Sequence, residues 1–204
     1  MRLREEIDKS LGLMGEIPIE LASIDYDVEI AGPGKRTEVF MQGCYQNCEG
    51  CFNDTAKEFG KGRILTVADV VQIILEKTPN KNVTFCGGEP LAQPLPLSKI
   101  VKELKEREFH IMVYTGIYIE DIEEFTESAS KWDRRIMGEE KDHTLKEIEI
   151  EIYRKAIMDI LGNIDILVDG PFDLSKKQEI VPGKNYIGSS NQREIKMTER
   201  GEMA

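Results

Sequence analysis

Apolar residues at Val67, Val70, Val71 and Ile74 follow the i, i+3, i+4, i+7 spacing of an amphipathic helix and predict one over Val67–Lys77. Thr66 precedes it as an N-cap, and Asp69, three residues on, sits where a carboxylate suits the helix dipole. Leu97, Ile100, Val101 and Leu104 mark the buried face of a second helix over Leu97–Glu108. Around them lie short β-rich runs at Thr37–Met41, Val83–Cys86, His110–Tyr114 and Ile166–Val168. The last three are stopped by Gly87-Gly88, Gly116 and Gly170-Pro171. Strand and helix alternate, which predicts an α/β fold with a parallel sheet covered by helices.

Glu127–Asn163 fits less simply. Residues 147–153 alternate as a strand does, yet Leu145, Ile148, Ile152, Ala156 and Ile160 also share a helical face. No Gly or Pro interrupts Leu145–Leu161, a run too long for an ordinary strand, so a helix is expected there. Glu127–His143 before it is polar and reads as a loop.

Composition adds bounds. The chain has 204 residues, 40% hydrophobic and 32% charged, enough for one domain with a real core. No repeat, low-complexity tract or linker divides it. A net charge of −11 would repel phosphate backbones, so a nucleic-acid partner is not expected. No apolar run is long enough for a signal peptide or a membrane span, so a cytoplasmic protein with reduced thiols is expected. Three of the four cysteines fall within eight residues, and in a reducing compartment such a cluster points to a metal before disulfides.

Cys44, Cys48 and Cys51 form a C-x3-C-x2-C loop after the first predicted strand. A cubane [4Fe–4S] cluster is usually held by four cysteines. Three ligands would leave one iron open to a small molecule bound through an amine and a carboxylate. Zinc with Cys86 as fourth ligand, or three buried unligated cysteines, are the alternatives. Gly87-Gly88-Glu89 follows the next strand. Its glycines permit close backbone approach, and Glu89 could accept hydrogen bonds from an ammonium; a plain strand-to-loop turn is the other interpretation. In folds of this class ligands bind where the C-terminal ends of the strands open into loops. The cysteine loop, Gly87–Glu89 and Asp169-Gly170 all follow predicted strands, so all three should meet on one rim.

Taken together, the cysteine spacing and the Gly-Gly-Glu turn resemble the radical S-adenosylmethionine (radical SAM) enzymes. Gly32-Pro33-Gly34-Lys35-Arg36-Thr37, Cys51-Phe52-Asn53 and Val113-Tyr114-Thr115-Gly116 are similar to motifs of the glycyl-radical activating enzymes within that family. So are Asp169-Gly170-Pro171-Phe172 and Gly188-Ser189-Ser190-Asn191-Gln192-Arg193. The resemblance covers about residues 32–193. It implies an incomplete parallel β/α barrel, and the chain is shorter than the ~250 residues of a full one. Residues 25–194 would form that domain, with an N-terminal extension at 1–24, a helical insertion at about 127–163 and a tail at 195–204.

The resemblance further implies a [4Fe–4S] cluster on Cys44, Cys48 and Cys51, with SAM contacted by Gly50, Phe52, Gly87, Gly88 and Glu89. Asp169 would touch the ribose or methionine portion, or only cap the following turn. The implied activity is reductive cleavage of SAM, the 5′-deoxyadenosyl radical then making a glycyl radical on a partner enzyme. The two C-terminal motifs point to anaerobic ribonucleoside-triphosphate reductase as that partner. A pyruvate formate-lyase-type partner, a small-molecule substrate, or a non-catalytic electron-transfer module are the alternatives. Ser189–Asn191 would be a plain loop, or would close the site or meet the partner. Lys35 and Arg36 would lie near the cysteine loop and attract an acidic electron donor such as a flavodoxin or ferredoxin. His110 and His143 suggest neither ligand nor base, Cys86 reads as a buried small residue, and Trp132 with Arg134 and Arg135 reads as surface loop, with a partner-facing patch the alternative.

Overall fold

The computed structural model describes residues 2–127, 133–138 and 146–197. Its helices are α1 (Arg2–Leu11), α2 (Val67–Lys77), α3 (Pro94–Glu106), α4 (Ile119–Glu127), the short α5 (Arg134–Met137) and α6 (Lys146–Leu161). Its strands are β1 (Pro18–Val28), β2 (Arg36–Met41), β3 (Arg63–Thr66), β4 (Asn82–Gly87), β5 (His110–Tyr114), β6 (Ile166–Asp169) and β7 (Arg193–Lys196). Trp132, His143 and most of the polar stretch before α6 lie outside the described residues.

Among the described residues one open sheet runs in the order β3-β1-β2-β4-β5-β6-β7. β2, β4, β5 and β6 pair in parallel; β1 and then β3 extend one side antiparallel, and β7 the other. This is the incomplete parallel β/α arrangement expected from the sequence, extended on both sides. β1 runs across position 24 and β7 across position 194, so both positions fall inside strands of the sheet.

The strands' period of two decides which side is core. Val39, Met41, Val83, Phe85, Ile111, Val113 and Leu167 face the helices and are fully buried against α2, α3 and α6. Val67, Val70, Val71 and Ile74 of α2 are buried with them, as are Leu97, Ile100, Val101 and Leu104 of α3. Each such side chain contributes about 1.5–3 kcal/mol on burial. The other sheet face carries Glu38, Phe40, Cys86 and Tyr114, which line a cavity.

α6 is a helix, as expected, but its buried face differs from the expected one. Ile150, Ala156, Ile157 and Ile160 are buried, whereas Ile148 is 63% exposed and Ile152 is exposed as well. The alternating Glu-Ile run offered two faces, and packing against α3 and α4 selected the one through Ile150 and Ile157.

Thr66 caps α2 as the sequence predicts. Its Oγ1 accepts from the Asp69 N–H at 3.1 Å, and the Asp69 carboxylate accepts from the Thr66 N–H at 3.1 Å. Asp69 also takes Arg4 of α1 at 2.7 Å, so the cap ties two helices together. Replacing Thr66 by alanine is expected to cost about 1 kcal/mol, a fall of roughly 2–4 °C in Tm for a domain of this size. Thermal unfolding followed by circular dichroism measures it, and an unchanged Tm would contradict the cap's role.

Candidate functional site

The parallel strands β2, β4, β5 and β6 deliver their C-terminal ends to one rim. From them come the cysteine loop, Gly87–Glu89, Thr115-Gly116 and Gly170–Phe172 in turn. All four segments line one cavity of about 360 Å³.

Backbone hydrogen bonds hold the cysteine loop against the sheet. The Gly43 N–H donates to Ala56 O at 2.8 Å and the Cys44 N–H to Lys57 O at 2.9 Å. The Gly88 N–H donates to Met41 O and the Glu89 N–H to Gly43 O, both at 2.8 Å. Only glycine fits this seam. Gly87 has φ +94°, and a Cβ there would meet Met41 N and O at 2.8 Å. A Cβ on Gly88 would come within 2.3 Å of Gly43 O. The Gly-Gly pair therefore lets the β4 turn lie flat beneath the cysteine loop.

Cys44, Cys48 and Cys51 are partly exposed and all line the cavity. Burial, and then the Glu89 carboxylate, push the Cys44 thiol up to about 12. Burial also raises Cys48, against a backbone hydrogen bond from Phe172. Lys57 reaches the loop from the other side, its ammonium 3.1 Å from Cys48 O and 2.8 Å from Asp54. Three thiols around a roomy hollow with a cation beside them fit an iron–sulfur cluster, whose thiolate ligands bring net negative charge. Among the described residues no three His, Cys, Asp or Glu side chains converge on a single-ion site. Cys86 is buried on β4 and its thiol donates to Glu38 Oε1 at 3.5 Å rather than turning to the other cysteines.

Glu89 is 1% exposed. Leu91 N–H and the Thr115 hydroxyl donate to its Oε1 at 3.0 and 2.8 Å. Gly116 N–H and the Gln46 carboxamide donate to its Oε2 at 2.9 and 3.1 Å. Burial raises its carboxyl above the usual range, against these bonds.

Gly50 and Phe52 flank Cys51. Phe52 is 56% exposed, stacks on Phe172 with ring centres 4.7 Å apart and packs against Gly188. The cysteine loop thereby touches the two C-terminal motifs, and these prove to be one unit. Arg193 Nε donates to Asp169 Oδ1 at 3.0 Å and Gln192 Nε2 to Gly170 O at 3.1 Å. Asn191 Nδ2 donates to Pro171 O at 2.8 Å, and the Asp173 N–H to Ser189 Oγ at 3.2 Å. The two segments are clasped rung by rung, and Gly170, Phe172, Gly188 and Gln192 form a stretch of the cavity wall beside the cysteine loop. Asp169 itself is 0% exposed and does not line the cavity. Its second oxygen takes the Ile119 N–H at 2.8 Å, so it caps the start of α4 while pairing with Arg193.

Lys35 and Arg36 do not lie near the cysteine loop, contrary to expectation. Arg36 opens β2 and the cysteines follow its far end, five residues or roughly 16 Å of strand away at about 3.3 Å per residue. Arg36 is also buried with its donors engaged inside the sheet, so it offers no surface charge to an electron donor.

Thr115 of the Val113–Gly116 motif lines the site, and so do Gln46 and Glu38, which no motif marks. Gln46 sits inside the cysteine spacing itself. Glu38 shares the period-two face of Phe40, a signal that alternation along β2 carries.

Comparison with known proteins gives the following. Residues 30–195 match the family described as "4Fe-4S single cluster domain". The chain is 25% identical over 170 residues to the anaerobic ribonucleoside-triphosphate reductase-activating protein of Enterobacteria phage T4, covering 80% of this chain and 85% of that protein. It is 37% identical over 94 residues to the pyruvate formate-lyase-activating enzyme of Clostridium pasteurianum, and 39% identical over 102 residues to that of Staphylococcus aureus. Those matches cover 44% and 47% of this chain and span only 40% and 41% of the two enzymes. Among solved structures, QueE from Escherichia coli aligns with a TM-score of 0.44 at 16% identity, over 53% of this chain and 56% of QueE. No helix among the described residues is long and apolar enough to cross a membrane.

Proposed function

Because the chain belongs to the 4Fe-4S single cluster domain family, we propose that it is a radical SAM activase that makes a glycyl radical on a partner enzyme. Cys44, Cys48 and Cys51 would hold the cluster. When bound, the cluster supplies the electron that cleaves SAM to methionine and a 5′-deoxyadenosyl radical, which takes a hydrogen atom from the partner's glycine. The observation that carries this reading is the shared cavity, in which three thiols face a Gly-Gly-Glu turn with no fourth cysteine turned toward them.

The chain's own residues would bind, orient and exclude water. Gly87 and Gly88 bring backbone close to the methionine end of SAM. Gly50 and Phe52 would border its adenosyl end, with Phe52 and Phe172 keeping water from the reacting centre. Glu89 holds the β5 turn through Thr115 and Gly116. Asp169 acts at one remove, fixing α4 and Arg193 so that Gly170 and Gln192 complete the wall. The open sheet edge would admit the partner's glycine loop.

Anaerobic ribonucleoside-triphosphate reductase is the preferred partner. Its support is the phage T4 relative, which aligns along most of both chains, and the clasp formed by the two motifs that suggested this partner. The shorter matches to pyruvate formate-lyase-activating enzymes favour the second reading, a partner of that type.

The test is anaerobic reconstitution with iron and sulfide, full reduction, addition of SAM and assay for 5′-deoxyadenosine. Cleavage is expected, and its absence on a fully reduced cluster would sink the enzymatic reading. Adding either candidate partner and recording the glycyl radical by electron paramagnetic resonance (EPR) then separates reductase from lyase.

A further inference from the structure

Glu89 accepts four hydrogen bonds, and two carboxylate oxygens offer about four lone-pair sites. The group is saturated, and although it borders the cavity it is only 1% exposed. Three of its donors are built into the fold: the Leu91 and Gly116 amides, and the hydroxyl of Thr115, whose own N–H is anchored on Val168 O at 2.8 Å. The fourth is the carboxamide of Gln46, a side chain that arrives from the cysteine loop and makes the longest of the four bonds, at 3.1 Å. It lies directly over Gly116, where a Cβ would come within 2.2 Å of its Nε2. A second hollow lies on the other side of the loop, and Gln46, Cys48 and Phe172 form the partition between the two.

We propose that Gln46 is a gate: its carboxamide holds, on Glu89, the place that the ammonium group of SAM's methionine half must take. The inference deepens the activase reading and rests on it. An ammonium can reach this buried carboxylate only by replacing a donor, and Gln46 is the one donor free to rotate away. Exchange favours the ligand, because an ammonium brings a full opposite charge to the carboxylate where the carboxamide brings only a dipole. The second hollow gives the displaced side chain somewhere to go. The Gln46 N–H also donates to Cys44 Sγ at 3.3 Å, so the gate and a proposed cluster ligand belong to one short piece of loop.

The test uses the reconstituted, reduced holoprotein, titrated with SAM and followed by the change SAM makes in the EPR spectrum of the cluster. Gln46→Ala removes the competing donor and is expected to bind SAM about tenfold more tightly, in line with the net worth of a hydrogen bond to a charged group. Gln46→Asn, one methylene too short to reach Glu89, is expected to move the same way and guards against a folding defect in the alanine variant. If the wild-type cluster responds to SAM and both variants bind equally or more weakly, the gate is overturned. Loss of the cluster in both variants would overturn it too, assigning Gln46 to holding the loop. A wild-type cluster blind to SAM would remove the activase reading, and the gate with it.

Discussion

Replacing Cys48 by alanine is expected to take the reconstituted protein from about four irons per chain to background and to abolish its visible absorption. Cys48 is one of three thiols lining the cavity, and no fourth cysteine is turned toward them to compensate. Cys86→Ala is the informative contrast. Cys86 also borders the cavity, but from β4, with its thiol donating to Glu38. Its removal should leave iron content unchanged and cost about 1 kcal/mol of stability, as a small buried group does. Iron and sulfide analysis of the two variants, purified side by side without oxygen, reads both outcomes. Loss of metal from both variants would return the site to a zinc-like four-cysteine centre, and retention in Cys48→Ala would remove Cys48 from the ligands. The difference follows from strand phase: Cys86 hangs on a rigid ladder between Phe40 and the β4 turn, whereas the other three sit on one loop that can wrap a cluster.

The central elements were legible because each is buried on a periodic face. α2 carries four fully buried residues at helical spacing and a cap at its start, and its observed bounds are those expected. β2, β4, β5 and β6 are short and apolar on the side the helices cover, so they too could be read. β1, β3 and β7 could not. Beyond Leu21, β1 is largely solvated, with Asp25 and Asp27 in its second half, and β7 is the charged tetrapeptide Arg-Glu-Ile-Lys. Edge strands bury little and owe their shape to the neighbour they pair with, which a single sequence does not display. The same asymmetry holds in the site. The cysteines and the Gly-Gly-Glu turn are local patterns with few structural solutions. The rungs from Asp169–Arg193 to Asp173–Ser189 join residues 16 to 24 positions apart, and only the folded chain shows that they face one another.

Arg36→Ala is expected to be strongly destabilising. Arg36 is 1% exposed, and its guanidinium ties the starts of three strands together. Nε donates to Thr84 Oγ1 at 2.7 Å, Nη1 to Pro33 O at 3.0 Å, and Nη2 to Val83 O and His110 O at 2.6 and 3.0 Å. His110 Nδ1 lies 3.2 Å from both terminal nitrogens and accepts from them, so that imidazole is neutral. Burial lowers the guanidinium to about 10, still charged at neutral pH. Alanine would take this donor from three carbonyls and the Thr84 hydroxyl and leave a void, a loss of about 3–5 kcal/mol. For a domain of this size that is a fall in Tm of order 10 °C. Arg36→Lys keeps the charge but cannot fork to four acceptors, and should recover less than half of the loss. Lys35→Ala next to it is exposed and should stay within about 0.5 kcal/mol of wild type. Urea unfolding of the three variants separates these outcomes, and an Arg36→Ala protein within about 1 kcal/mol of wild type would refute the assignment. The guanidinium acts at the end of the sheet away from the cysteines. Cluster content in the cold, where the variant is still folded, should therefore be unaffected. A loss of cluster there would mean that strand register at the β2 start is transmitted to the loop at its end.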